Sequence, residues 1–127
     1  MVYIRERNEL FFRPGIEEIA GQIDAPRAFL AKILQRLVRA GLMNSLKGKS
    51  GGFFMTEAQS KVLIRDVILF LNGSKILSGC GFGLKSCDSS NPCPLHHQYE
   101  PIRSALSELV ESETIQSLSN KPGSFLK

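Results

Sequence analysis

Three cysteines and a histidine lie close together in one segment of the chain. They are Cys80, Cys87, Cys93 and His96, with the spacing Cys-x6-Cys-x5-Cys-x2-His. Cysteine thiolates and histidine imidazoles are ligands of zinc and of iron–sulfur clusters. The spacing lacks the tight Cys-x2-Cys pair of most structural zinc sites, and its glycines suit a loop that wraps a larger cluster. The pattern favours a cluster over zinc, with a thiol sensor or cysteines without any metal as open alternatives.

A site with three thiolates needs a fourth ligand to hold a cluster. His96 is the nearest candidate because it follows Cys93 closely, and the adjacent His97 is the second. An odd number of cysteines is a poor framework for disulfides, and the first residues lack the pattern of a secretion signal. No apolar run is long enough to span a membrane. The sequence therefore predicts a soluble cytoplasmic protein with no membrane partner.

The 127-residue chain carries a net charge of +4, and the basic excess lies in its first part. No acidic residue occurs from Ala25 to Ser50, whereas this stretch contains Arg27, Lys32, Arg36, Arg39, Lys47 and Lys49. A segment of one charge within an otherwise balanced protein is typical of a surface that binds a polyanion such as nucleic acid. A solvated helix face is the alternative.

Hydrophobic periodicity and turn residues divide the first part of the chain into three helices and a hairpin. We predict the end of a helix over 1–12, helices over Ile16–Ile23 and Pro26–Ala40, and strands over Leu42–Lys47 and Phe53–Met55. Gly41 ends the third helix, and residues 48–52 form a glycine-rich hairpin tip. The predicted core residues of the third helix are Phe29, Ile33, Leu34, Leu37 and Val38.

The second part contains helices on either side of the cysteine segment. A helix is predicted over Val62–Leu71, with core positions Val62, Val67, Ile68 and Leu71. Residues 78–94 show no periodicity, which predicts a loop. A further helix is predicted over Tyr99–Glu113, with an apolar stripe of Ile102, Leu106, Leu109 and Val110, and a last turn over Ile115–Leu118.

Two short helices, a tight turn and a basic hairpin together make a winged helix-turn-helix. The second helix of such a pair enters the major groove of DNA and reads base edges. Here that reader is Pro26–Ala40, with Arg27 as the strongest candidate for base contact, and the lysines of the hairpin, or wing, face phosphates. The predicted DNA-binding residues are Arg27, Ala28, Ala31, Lys32, Gln35, Arg36, Lys47, Lys49, Gly51 and Gly52.

Both groups of residues, in this order, resemble one bacterial family. The motifs are Ile16-Glu17-Glu18-Ile19-Ala20 in the turn region, Lys47-Gly48-Lys49-Ser50-Gly51-Gly52-Phe53 in the wing, and Cys93-Pro94-Leu95-His96 at the end of the cysteine loop. Over residues 1 to about 118 the chain is similar to the winged-helix regulators of the Rrf-two (Rrf2) family. That family includes an iron–sulfur assembly regulator and a nitric-oxide-sensitive repressor. Against the family pattern, the first helix here matches only the second half.

The resemblance implies a homodimer formed through the helix that begins at Tyr99. It also implies an iron–sulfur cluster held by Cys80, Cys87 and Cys93, and we expect a 2Fe–2S cluster in preference to a 4Fe–4S cluster. In the assembly-regulator branch a histidine at the position of His96 is the fourth ligand. In the nitric-oxide branch an acidic residue of the partner subunit takes that place.

We therefore expect a mainly α-helical protein with a small β-hairpin, in which a winged helix-turn-helix precedes a long dimerisation helix. The expected segments are a DNA-binding domain over 1–73, a cysteine loop over 74–98, a dimerisation helix over 99–118 and a tail over 119–127. The expected function is that of a dimeric transcriptional regulator that binds double-stranded DNA and senses redox state, nitric oxide or iron–sulfur status. A zinc-stabilised or metal-free protein-interaction module is the alternative. No motif indicates an enzyme.

Overall fold

The computed structural model describes residues 1–79 and 89–123, and the chain forms two compact units. Residues 1–62 and the segment from Thr114 onward make the first unit, and Leu63–Glu113 make the second. The elements in chain order are α1 (Val2–Glu9), α2 (Ile16–Ile23), α3 (Arg27–Arg39), β1 (Asn44–Leu46), β2 (Gly52–Phe54), α4 (Glu57–Ser60), α5 (Ile64–Asn72), α6 (Lys75–Ser78), α7 (His96–Ser112) and α8 (Ile115–Ser119). None of these helices is long and apolar enough to cross a membrane.

The helices of the first unit follow the predicted pattern with small shifts at their ends. α2 has the predicted bounds, whereas α1 ends at Glu9 because Phe11 adopts a φ of +65°, which no helix continues. Gly41 ends α3 with a φ of +77°. The amide of Gly41 donates to the carbonyl of Val38, and that of Leu42 donates to the carbonyl of Leu37. These two bonds form the glycine-based cap that satisfies the last carbonyls of a helix.

The buried face of α3 differs from the predicted one. Leu30, Leu34 and Leu37 are buried, and their spacing of four and three residues places them on one side of the helix. The prediction that Phe29 is a core residue is wrong, since the residue is 63% exposed. It lies one position before Leu30, about 100° around the helix, which turns its ring towards solvent. Ile33 and Val38 are half-buried on the flanks.

The core of the first unit contains residues from both the beginning and the end of the described chain. α1 packs against α8, with Ile4 and Ile115 both buried. The hydroxyl of Tyr3 donates to Glu18 Oε1 of α2 at 2.6 Å. Burial and this hydrogen bond to a carboxylate raise the pKa of Tyr3. Arg7 Nε lies 2.7 Å from the same Glu18 oxygen, so α1 and α2 are tied by a polar cluster beside the core.

The wing is a two-stranded antiparallel sheet, shorter than predicted. Asn44 pairs with Phe54, Ser45 with Phe53, and Leu46 with Gly52. The first strand begins at Asn44, not at Leu42, because Leu42 belongs to the helix cap and the buried Met43 belongs to the core. After the wing, α4 is a short helix that the sequence analysis did not predict. Thr56 and Gln59 start it by a reciprocal capping box.

The second unit contains α5, α6 and α7. α5 begins at Ile64 and ends at Asn72, against predicted bounds of Val62–Leu71, and Gly73 follows it with a φ of +74°. Val67 is buried and Ile68 and Leu71 are half-buried, while Val62, also half-buried, belongs to the first unit. α7 starts at His96, three residues earlier than predicted, and contains Pro101 in its first turns. Residues 80–88, with Cys80 and Cys87, and the last four residues of the tail lie outside the described chain.

Candidate functional sites

α3 presents its predicted DNA-binding side chains on the surface. Arg27, Ala28, Lys32, Gln35 and Arg36 are exposed and Ala31 is half-buried. The spacing of Ala28, Ala31, Lys32, Gln35 and Arg36 puts them on the side of the helix away from the three buried leucines. Arg27, seven residues before Leu34, lies on the leucine side and is exposed because it is the first residue of the helix. The helix thus has a basic outer face, suited to the negative charge of nucleic acid, while its inner face is fixed by the core.

Arg27 makes an ion pair that the sequence analysis missed. Its Nε donates to Oε1 of Glu17 in α2, with 61% of the arginine side chain and 77% of the glutamate side chain exposed. An exposed pair of this kind contributes about 1 kcal/mol or less, so a stronger acceptor can replace the carboxylate. Glu17 therefore orients the Arg27 side chain, whose contact with bases stays a prediction.

The wing carries Lys47 and Lys49 as exposed side chains, as expected for phosphate contacts. The packing of the hairpin itself requires its two glycines, Gly51 and Gly52. A Cβ atom on Gly51 would lie 2.2 Å from the carbonyl oxygen of Leu46, and one on Gly52 would lie 2.2 Å from that of Arg13. The hairpin therefore needs both glycines to close and to pack, and their contact with DNA stays a prediction.

Asn8 of α1 holds the second strand of the wing. Its Oδ1 accepts from the amide of Met55 at 2.9 Å, and its Nδ2 donates to the carbonyl oxygens of Phe12 and Phe53. The amide of Phe53 donates to the carbonyl of Pro14. These bonds occupy the free edge of β2 and fix the wing to the first helix. A single asparagine in a polar run gives no sequence signal for this role.

The start of α7 brings together part of the predicted metal site. The amide of His96 donates to the carbonyl of Cys93 at 3.0 Å, so one turn holds both residues. Cys93 is half-buried and the His96 side chain is buried, at 5% exposure. The placement of Cys80 and Cys87 relative to this pair is not described, and the four-residue site stays a prediction.

His96 also has two neighbours that could bind a metal ion. Its Nε2 lies 3.3 Å from Oε2 of Glu100, one turn along α7, and its ring is edge-on to that of His97 at 5.2 Å between centroids. The ligand atoms of His96, His97 and Glu100 all lie within 4.8 Å of one another. Glu100 was not among the predicted residues, although its spacing of four from a histidine on a helix could have identified it.

Comparison with known proteins agrees with this architecture. A family model described as Rrf2, iron-dependent transcriptional regulator, matches residues 2–121. The chain is 33% identical over 107 residues to an HTH-type transcriptional regulator of Aquifex aeolicus, which is 83% of this chain and 74% of that protein. It is 23% identical over 93 residues to the HTH-type transcriptional regulator IscR of Photorhabdus laumondii, which is 73% of this chain and 56% of that protein.

Two solved structures share the fold. The global cysteine regulator CymR of B. subtilis superposes with a TM-score of 0.66 at 20% identity, covering 93% of this chain and 85% of that one. IscR of T. potens superposes with a TM-score of 0.63 at 20% identity, covering 92% and 76%. With the family model spanning nearly all of the sequence, the chain belongs to the Rrf2 family of transcriptional regulators, which are DNA-binding proteins and not enzymes.

Proposed function

We propose that this regulator works in the cytoplasm as a homodimer on double-stranded DNA, and that a cluster bound at the cysteine loop controls its binding. One observation carries the proposal: the carbonyl of Cys93 accepts from the amide of the buried His96, which is the first residue of α7, and the outer face of that helix is apolar. Ligands at the start of the helix that carries a self-association surface give a chemical signal a direct route to the dimer.

The dimer proposal rests on the exposed apolar side chains of α7. Ile102 is 64% exposed and Leu109 is 59% exposed, and Ala105 lies exposed between them. Positions 102, 105 and 109 recur at the spacing of one helix face. Such a stripe on a surface helix is typical of a contact with another helix, and a second copy of α7 supplies one that is self-complementary.

The donors at the start of α7 suit an iron–sulfur cluster. Cys93 supplies a thiolate and His96 an imidazole, and the sequence places Cys80 and Cys87 in the same loop. Glu100, beside Nε2 of His96, can fix the tautomer of the ring and leave the other nitrogen for the metal. When bound, a 2Fe–2S cluster supplies a centre that changes with oxidation or nitric oxide.

The chain's own residues then transmit the state of the site. Cys93 and His96 anchor the loop to the first turn of α7, and loss of a ligand releases that anchor. A change of about 1.4 kcal/mol in the balance between two dimer arrangements changes DNA affinity tenfold. The description of the family as iron-dependent supports a metal as the signal.

The test is purification of the chain without oxygen, followed by an absorption spectrum and assays of iron and acid-labile sulfide. The wild type should carry both, and Cys93→Ser should carry neither while its far-UV circular dichroism stays unchanged. Ser89→Ala, a neighbouring change without a ligand atom, serves as the matched control. Wild-type protein that never contains iron and sulfide contradicts the cluster proposal and leaves the DNA-binding function standing.

The cluster of His96, His97 and Glu100 favours a second candidate, a single zinc ion that stabilises the start of α7. Imidazole nitrogen and carboxylate oxygen are common zinc ligands. Metal analysis separates the two candidates, since this site would retain zinc in Cys93→Ser and lose it in His97→Gln. A cluster site gives the reverse dependence on these two variants.

A further inference from the structure

A cavity of about 620 Å³ opens in the first unit, away from the cysteine loop in the sequence. Its walls are the C-terminal part of α1, the segment between α1 and α2, and the wing. The lining residues are Arg5, Asn8, Phe11, Phe12, Arg13, Lys49, Ser50, Gly51, Phe54 and Met55. A cavity of this size holds a small organic molecule.

The charge of the lining is of one sign. Arg5, Arg13 and Lys49 line the cavity, and no acidic residue does so among the described residues. Glu9 lies 3.3 Å from Arg5 Nε and offsets part of this charge, but it stands outside the lining. A concave surface with an excess of fixed positive charge concentrates anions.

Aromatic side chains supply the apolar part of the cavity. Phe11 is 98% exposed and has a φ of +65°, an uncommon combination for a bulky residue. Its ring adds nothing to the core, and its backbone conformation costs stability. Phe54 already stacks with a cation, since the guanidinium carbon of Arg13 lies 5.1 Å from the centre of its ring. An exposed, strained phenylalanine beside cations is a feature of a binding site more than of a folding core.

The walls are held in place before any ligand arrives. Asn8 bonds to both the α1–α2 segment and β2, and the carbonyl of Pro14 accepts from Phe53. The cavity is therefore preformed on three sides, and its free rim is the wing tip with Lys49, Ser50 and Gly51. Preformed walls reduce the entropy cost of binding.

We propose that this cavity binds a small aromatic carboxylate, with its ring against Phe11 and Phe54 and its carboxylate facing Arg13 and Lys49. Only 15% of the Arg5 side chain is exposed, so its charge acts from within the wall of the cavity. Since the wing tip forms the rim, an occupied cavity changes how Lys49 meets DNA. This second input does not depend on the metal proposal.

The test is titration of the full chain with 1-naphthoate, followed by NMR of the backbone amides. The amides of Phe11, Arg13, Lys49 and Gly51 should shift together and saturate. Arg13→Gln should weaken binding at least tenfold, whereas Arg39→Gln, which removes an exposed arginine outside the cavity, should leave it unchanged. The uncharged analogue 1-naphthalenemethanol should bind at least tenfold more weakly than the acid.

Three results would overturn the proposal. They are the absence of saturable shifts at the lining amides, equal binding of the acid and the alcohol, and equal shifts with inorganic phosphate. The last would identify a site for simple anions that has no preference for an aromatic carboxylate. The titration uses wild-type protein that holds no metal. Its result therefore does not depend on whether the cluster proposal is right.

Discussion

Helices α3 and α7 both carry a stripe of apolar residues but use it differently. α3 buries Leu30, Leu34 and Leu37 against its own unit. α7 is longer, yet its buried residues are His96 and Val110, and the stripe containing Ile102 and Leu109 faces outward. A helical pattern of apolar residues therefore does not reveal whether the chain itself covers that face.

The largest expected effect is on the free energy of unfolding. Leu37→Ala, at a position 2% exposed, should lower it by about 2–5 kcal/mol, because the cavity left behind cannot collapse fully. Leu109→Ala is the matched change on α7. If α7 forms the dimer, the loss of unfolding free energy in Leu109→Ala should be smaller than in Leu37→Ala and should vary with protein concentration. Urea unfolding at two protein concentrations checks this. Equal losses that are independent of concentration would erase the contrast between the helices.

The next effect concerns how firmly the first unit holds the wing. Asn8→Ala removes hydrogen bonds to Met55 and Phe53 and should reduce the local opening free energy of β2 by about 1–3 kcal/mol. Hydrogen exchange at the Met55 amide measures it. Asn8→Asp keeps the acceptor for that amide, so it should preserve Met55 protection. Unchanged exchange in Asn8→Ala would show that the sheet holds itself.

Measurements of DNA binding distinguish the role of α3 from the role of the wing. Arg27→Gln should change sequence preference by about 1–3 kcal/mol, because base contacts carry discrimination. Lys49→Gln should weaken binding to all sequences and reduce the slope of log affinity against log salt by about 0.9. Fluorescence anisotropy across salt concentrations, with two duplexes, measures both. An Arg27 variant with unaltered preference would place the reading surface elsewhere.

The smallest expected effect is an increase in the free energy of unfolding. Phe11→Gly should raise the free energy of unfolding by up to about 1 kcal/mol, since glycine adopts a φ of +65° without strain. Phe11→Ala keeps the strained conformation and is the control. Thermal unfolding compares them. If both variants match the wild type, the segment after α1 relaxes without cost.

Much of the fold could be predicted because local signals and packing agree. The bounds of α2, the cap at Gly41 and the wing all follow from periodicity and glycine positions. The exposure of Phe29 could not be predicted, because the apolar arc of α3 is wider than the face its neighbours cover. The same limit applies to the stripe of α7.

The candidate site residues divide in the same way. Arg27, Lys47 and Lys49 could be found because a one-sign charge pattern needs no knowledge of contacts. Glu100 lies only four residues from His96, whereas Glu17 and Asn8 act through partners that only the folded chain brings near, 10 residues away for the Glu17–Arg27 pair and 47 for Asn8 and Met55. Contacts at such distances leave no local mark in a single sequence.

The packing of α1 on α8 has a consequence for synthesis on the ribosome. The first unit is discontinuous, since Tyr3 and Ile4 share its core with Ile115 from the far side of the second unit. Chains emerge from the N-terminus and fold by units as these become complete. The winged helix therefore cannot finish its core until residues beyond Thr114 have been translated. By then every cysteine of the loop has already been made, so a nascent chain contains the proposed metal ligands before it has a finished DNA-binding surface.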